Sequence, residues 1–434
     1  MKKEFSDVIN KIFNKNRELG FIHCSTEDQT LDGRNVTIQG KEYVYYGSCS
    51  YLGLETDERL KEAAIDAVRR YGTQFSCSRT FLQMGLYEEV ESMLGEIMGK
   101  PTLLAPTTSL GHISVIPVIM GERDAIIADQ QVHNSVRNAI QIAKADGVYV
   151  ETLPHNNMER LETRIQILKQ QYDRVWYYAD GVYSMYGDAA KFDAIWDLLN
   201  RYDQFHFYVD DAHGMSWAGK HGRGLVLQNM PYHPRMVVTS SLAKGFANCG
   251  GVITFADEEQ KNLIKNCGSS FIFSGPLQPA VLGAIKAAAQ IHLTSEIDTL
   301  QNELYERMVF FVDKARQLGV PVISNELTPI FFVGMGKQEV CFKMGKYLME
   351  QGMYCNLAQF PAVSLKNAGL RIALTRHHSI QDINKLLETV AEAMPKFMAE
   401  ENYSYEELYT AFNIPQPGVI IPQKIQEGEN RKIA

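Results

Sequence analysis

Apolar residues along this chain come in two alternating patterns: short β-branched or aromatic runs, and longer stretches repeating every three or four positions. Residues 1–20 are charged and amphipathic and predict a helix ending at Gly20. Asn35–Tyr46 alternates as strands do. In the helix predicted over Asp57–Tyr71, Leu60, Ala63, Ala64, Ala67, Val68 and Tyr71 share one face, and Gly72 supplies the stop. Val90, Met93, Leu94, Ile97 and Met98 form the next such face, before Gly99. Leu103–Ile116 reads as a strand end, a hydroxyl-rich turn and a helix start, and Ala125–Ile140 as a strand, a polar turn and a helix. Strand-like runs at Val148–Leu153, Arg174–Ala179, Phe205–Val209 and Met236–Thr239 then alternate with helices at Met158–Gln171 and Phe192–Tyr202. That alternation, through about residue 255, demands a mostly parallel, doubly wound sheet.

Beyond residue 295 the pattern changes. A long amphipathic helix ends near Leu318–Gly319, and short strands are predicted at Val320–Ser324 and Ile330–Val333. A helix at Glu339–Gln351, the strand LRIALT (Leu370–Thr375) and a final helix from Ser379 complete a smaller α+β unit. The polar tail from about Glu401, with Pro415, Pro417 and Pro422, reads as a loosely packed extension. The expected division is 1–56 for an N-terminal arm and part of the small domain, 57–294 for the large domain, 295–400 for the small domain and 401–434 for the extension.

Composition narrows the class. At 434 residues, 45% apolar and 22% charged, the chain can build a large core. A net charge of −8 with no Lys/Arg cluster argues against a nucleic-acid surface. Seven dispersed cysteines show no metal-binding spacing and suit a reducing compartment. The N-terminus has no signal-peptide core, and the most apolar stretch, Ile113–Met120, is too short to span a bilayer and contains Pro117. A cytoplasmic protein is expected.

The candidate chemistry lies in Phe205–Gly251. A buried-type strand stops at Asp210–Asp211–Ala212–His213–Gly214, and a second leads to Ser240, Ser241 and Lys244, followed by Gly250–Gly251. Neighbours on a strand face opposite ways, so one aspartate can face a ligand while the other serves the scaffold. Two glycines mark a close backbone approach. Lysine, carboxylate and histidine at strand ends suit pyridoxal 5′-phosphate, which needs an amine to hold it as a Schiff base and an anion at its ring nitrogen. Alone, an Asp-Asp after a strand is more often a cap, and a lysine before glycines is more often solvated. Order and spacing together favour the cofactor.

VDDAHG, SLAK some thirty residues later and the glycine pair closely resemble the α-oxoamine synthases, a group of fold-type-I pyridoxal-phosphate enzymes. The resemblance spans roughly residues 40–395. It implies that Lys244 is the Schiff-base lysine, Asp210 the pyridinium partner and His213 the partner of the cofactor's phenolic oxygen. It also implies that His133 stacks on the ring, that Ser184 contacts the cofactor, and that Arg371 grips the substrate carboxylate. The cofactor phosphate falls to the Thr107–Thr108–Ser109 turn, which otherwise reads as an ordinary N-cap, and to Ser241, where the family has threonine. Several positions depart from the pattern. Thr108 and Ser109 replace a glycine and an aromatic, Cys49 replaces an asparagine that contacts the amino acid, and Tyr87 replaces a histidine, a change expected to affect packing. Gly275 follows Ser274, where threonine is usual, in the segment that reaches the neighbouring subunit's phosphate in a homodimer with shared sites.

The implied reaction is a decarboxylative condensation of a small α-amino acid with an acyl thioester, carried on CoA or a carrier protein, to an α-amino ketone. An aminotransferase using the same lysine, aspartate and arginine, and a non-catalytic cofactor-binding homologue, stand as alternatives.

Overall fold

The computed structural model describes residues 3–324 and 326–414. Helix α1 (Lys3–Glu18) precedes a hairpin of β1 (Asn35–Ile38) and β2 (Lys41–Tyr45), then α2 (Glu58–Tyr71) and α3 (Gly85–Met98). The chain alternates through β3 (Thr102–Ala105), α4 (Thr108–Ile119), β4 (Asp124–Asp129), α5 (Asn134–Ala145) and β5 (Tyr149–Leu153). It continues with α6 (Met158–Leu168), β6 (Arg174–Asp180), α7 (Phe192–Arg201), β7 (Phe205–Asp210), the short α8 (Leu225–Asn229) and β8 (Met236–Ser241). Then come β9 (Gly251–Thr254), α9 (Glu258–Cys267) and α10 (Pro279–His292). The predicted helix starts match side chains that cap: Asp57 accepts from the N–H of Arg59, and Ser379 forms a capping box with Asp382.

Seven strands form one sheet in the order β3-β9-β8-β7-β6-β4-β5. From β8 to β5 every pair is parallel, whereas β9 runs antiparallel to both β8 and β3. Strands covered on both faces need apolar residues at every position, and β4, β7 and β8 are buried almost throughout. Aromatic pairs bind neighbouring strands: Tyr178 stacks on Tyr208 at 4.9 Å, and Tyr177 on Phe207 at 6.0 Å. The register sets Asp180 beside Asp210, and Asp210 beside Thr239. Carboxylates and hydroxyls thus gather at the carboxyl ends of the strands.

The second half holds α11 (Glu296–Leu318), β10 (Ile330–Gly336), α12 (Gln338–Glu350), β11 (Met353–Tyr354), β12 (Asn356–Ala358), β13 (Ala368–Ala373), α13 (Ile380–Glu400) and α14 (Tyr405–Phe412). Strands β10, β13 and β12 form an antiparallel sheet, while β11 pairs in parallel with β2 of the N-terminal hairpin. Three expectations need correction. Val320–Ser324 is not a strand: Pro321 lacks a donor, and Val322 makes a single isolated pairing with Val333. The helix starting after Ser379 is not the last. Part of the stretch read as loose tail is helix α14, capped by a Ser404/Glu407 box and burying Leu408 and Tyr409. The prolines of that tail, Pro415 to Pro422, lie outside the described residues.

Candidate active site

A cavity of about 200 Å³ opens at the carboxyl ends of β6, β7 and β8. Lys244, Asp210, His213, His133, Thr108, Ser109 and Ser241 line it, so seven of the predicted residues meet on one wall. Asp180, Thr107, Ala212, Cys249 and Gly250 complete most of the rest.

The Asp-Asp pair divides as strand geometry requires. Asp210 faces the cavity and takes the Ala212 N–H on Oδ1 at 3.0 Å. Asp211 turns into the scaffold and accepts the Val226 N–H at 3.1 Å. Its carboxyl occupies a slot that any Cβ at Gly181, Gly214 or Gly224 would fill. Electrostatics separates the two cavity carboxyls. Burial opposes ionisation of Asp210, but His112 at its Oδ2, then Lys244 and His133, outweigh it and hold the group down at about 2. Burial, reinforced by the negative charge of Asp210, pushes Asp180 well above the carboxylate range. The site therefore presents one anion beside one neutral acid.

Two imidazoles face this anion with different supports. The Tyr51 hydroxyl lies 2.7 Å from Nδ1 of His213, and Trp217 Nε1 donates to the His213 carbonyl at 2.6 Å. Burial first, then the charge of Lys244, keeps the His213 ring neutral. His133 sits at the start of α5, exposed on the cavity wall, with Nδ1 2.6 Å from Ser135 Oγ. Its backbone N–H donates to Asp180 Oδ1 at 3.0 Å. Lys244 itself has a lowered pKa because burial disfavours its ammonium form, with Asp210 acting in opposition.

The hydroxyl-rich turn does two jobs. Thr107 caps α4 by accepting the Leu110 N–H at 3.1 Å, while Thr108 and Ser109 open the helix toward the cavity. The helix N-terminus there offers unpaired N–H groups and a positive dipole end to an anion. Gly251 explains its own identity: a Cβ would lie 2.7 Å from the backbone of Thr108, so this turn can approach β9 only at a glycine. Gly250, at φ +114°, adopts a backbone conformation that side chains disfavour.

Five predicted residues lie off the cavity wall, in two groups: Arg371, Cys49 and Ser184, and Ser274 with Gly275. Arg371 on β13 donates through Nε to the Ser184 carbonyl at 2.6 Å, and its Nη2 lies 3.6 Å from Cys49 Sγ. Its charge is nonetheless felt at Lys244 and His213. Ser184 is placed as a support for this arginine, through its backbone. Ser274 and Gly275 line no part of the cavity, and open space surrounds Gly275. Tyr87 is a packing residue, buried under the Arg79 guanidinium at 4.0 Å, and its hydroxyl accepts the Leu277 N–H at 2.6 Å.

Sequence reasoning missed two partners. Tyr51 stands two residues past Cys49, but its contact with His213 crosses 162 positions. His112 lies on α4, fully buried, with Nε2 3.0 Å from Asp210 Oδ2. A signal was available: His112 is one turn past Thr108, on the same helix face, in an otherwise apolar run.

The donor set fits a phosphorylated pyridine aldehyde. An amine stands ready for the aldehyde, an anion for the ring nitrogen, flat rings for its face, and a helix N-terminus with hydroxyls for the phosphate.

Comparisons with known proteins agree. The family model for aminotransferase class I and II matches residues 46–390. A serine palmitoyltransferase of Bacteriovorax stolpii is 29% identical over 404 residues, covering 91% of this chain and 93% of the relative. An 8-amino-7-oxononanoate synthase of Thermoanaerobacter pseudethanolicus is 30% identical over 385 residues, covering 88% and 95%. Among solved structures, a Sphingomonas wittichii serine palmitoyltransferase superposes with a TM-score of 0.83 at 21% identity, over 92% of this chain and 98% of that one. A serine palmitoyltransferase from S. paucimobilis, solved with a bound PLP–myriocin adduct, gives 0.82 at 21%, over 91% and 98%.

Proposed function

Because the chain belongs to the aminotransferase class I and II family, and within it to the α-oxoamine synthases, we propose that it joins a small α-amino acid to an acyl thioester. The reaction releases carbon dioxide and the free thiol and yields an α-amino ketone. It is a pyridoxal-phosphate-dependent acyltransferase. The observation that carries this reading is the convergence of Lys244, Asp210 and the α4 N-terminus on one cavity.

Pyridoxal 5′-phosphate, when bound, supplies an electron sink for charge developing at the substrate α-carbon. The residues of the chain divide the remaining work. Thr108, Ser109 and Ser241 would hold the phosphate, largely through backbone donors at the helix start. Asp210, ionised, would keep a proton on the ring nitrogen. His213, held by Tyr51, would serve the phenolic oxygen, and His133 would serve the ring face. Lys244 removes the α-proton; burial lowers its pKa and so favours the neutral amine that a base requires. Arg371 has N–H groups left after Ser184 and Cys49, and these bind the amino-acid carboxylate in a planar grip.

On this reading residues 57–294 form the cofactor-binding domain, and 295–400 with the N-terminal arm form the smaller one. Two copies share their sites, with Ser274 and Gly275 serving the partner. The exposure of that segment, next to Phe273 at 75% and Phe81 at 72%, supports the pairing. All seven cysteines are unpaired, which supports a reducing compartment such as the cytoplasm.

The test supplies amino acids and acyl thioesters in turn. Equal yields of carbon dioxide and free thiol, abolished by Lys244→Ala, bear the reading out. Transfer of the amino group to a keto acid, without either product, would replace it with an aminotransferase.

A further inference from the structure

A chain of hydrogen bonds runs behind the cavity, through side chains that no solvent reaches. Thr239 Oγ1 donates to the Tyr208 hydroxyl at 2.9 Å, and that hydroxyl lies 2.8 Å from His112 Nδ1. His112 Nε2 lies 3.0 Å from Asp210 Oδ2. His112, Tyr208 and Thr239 are all 0% exposed, so each polar hydrogen must find an acceptor inside the protein.

That requirement fixes the direction of every bond. The Tyr208 oxygen already receives the Thr239 hydrogen, so its own hydrogen goes to His112 Nδ1. A ring accepting at Nδ1 carries its proton at Nε2, aimed at Asp210. The alternative, a doubly protonated ring, would donate to Tyr208 as well and strand the Tyr208 hydrogen without an acceptor. Asp210 Oδ1 is held separately by the Ala212 N–H. The carboxylate is thus gripped at both oxygens, one by the backbone and one by this relay.

We propose that His112, locked in its neutral Nε2–H form by Tyr208 and Thr239, is a positioning residue that aims and retains the Asp210 anion at the cofactor ring nitrogen. The inference rests on the cofactor reading above. It adds an economy of construction: α4 serves the site at both ends, with Thr108 and Ser109 at the phosphate and His112, one turn further, behind the ring. Leu does not replace this function, because it offers no donor. Gln replaces it in part, because its amide can donate to Asp210 but cannot relay from Tyr208 in the same way.

The experiment measures pyridoxal 5′-phosphate dissociation from the purified holoenzyme, together with kcat and KM, for wild type, His112→Leu, His112→Gln and Tyr208→Phe. A charge-assisted hydrogen bond is worth about a 10- to 100-fold change in affinity. His112→Leu is expected to release the cofactor that much more readily and to lower kcat with little change in KM for the amino acid. His112→Gln should recover part of the loss. Tyr208→Phe keeps the ring and its packing but frees the imidazole to flip its proton, and should weaken cofactor binding by roughly tenfold on the same reasoning. Tyr208→Phe also decides the matter if His112→Leu fails to fold. Wild-type affinity in Tyr208→Phe, or in a folded His112→Leu, overturns the proposal. Failure of wild type itself to bind pyridoxal 5′-phosphate would instead remove the cofactor reading on which it stands.

Discussion

His155 sits between two carboxylates, with Nδ1 2.9 Å from Asp129 and Nε2 2.6 Å from Asp188. Burial works against its charge, but the two hydrogen-bonded acids outweigh burial and push its pKa up to about 9. A raised pKa means that the folded state holds the proton more tightly than the unfolded chain does. The contribution is therefore complete below the unfolded value, near 6.5, and disappears as pH climbs through 9. Its ceiling is on the order of 3 kcal/mol, from the size of the shift. Urea denaturation between pH 6 and pH 10 should show stability falling across that window, and His155→Gln should flatten the fall. A second residue-level expectation concerns Arg371. Its fork is oriented by the Ser184 carbonyl, a geometry a lysine cannot reproduce. Arg371→Lys should raise KM for the amino acid by about 10- to 100-fold while kcat changes far less. An unchanged KM would place the carboxylate elsewhere.

Among the elements, α14 shows where sequence pattern was readable and was outweighed. Tyr405, Leu408, Tyr409 and Phe412 recur at helical spacing, and Ser404 with Glu407 is a capping-box pair. The prolines and polar residues that follow pulled the whole stretch toward an irregular reading. In the structure the helix lies against β10, with Phe412 tilted on Phe332 at 5.9 Å. Ser404→Ala removes the acceptor for the Glu407 N–H and the box with it. The expected cost is about 1 kcal/mol, the usual worth of a Ser cap. Faster hydrogen exchange confined to 405–412 would show that the loss is local, while unchanged exchange there would mean that packing alone holds the helix. Val320–Ser324 failed for the opposite reason. Its residues suit a strand, but Pro321 removes a ladder donor, and pairing stops after one bridge.

At the scale of the molecule, parallel order was legible because strands and helices alternate with little between them, and parallel strands need crossovers. The convergence of Asp210 and Lys244 followed from the same logic, since Asp210 closes one strand and Lys244 stands just past the end of its neighbour. Contacts made across the fold left no such trace. His112 reaches Asp210 from a helix 98 positions upstream, and Tyr51 reaches His213 from beyond the large sheet altogether. Quaternary structure is the furthest of these distances. The rings of Phe81 and Phe273 pack tilted against each other at 5.6 Å on the outside of the molecule, with Leu82 59% exposed beside Phe81, and the backbone N–H of Phe273 is pinned by Ser78 Oγ at 2.9 Å. Two large rings held rigidly in water cost solvation free energy that a second copy would recover. The same segment carries Ser274 and Gly275 away from their own cavity. Sedimentation should therefore find the wild type at twice the 49.0 kDa of one chain. The double variant Phe81→Glu, Phe273→Glu should shift it toward one chain's mass and, on the proposed sharing of sites, lower the turnover rate in step. A fully active single chain would show that the cavity is complete without a partner.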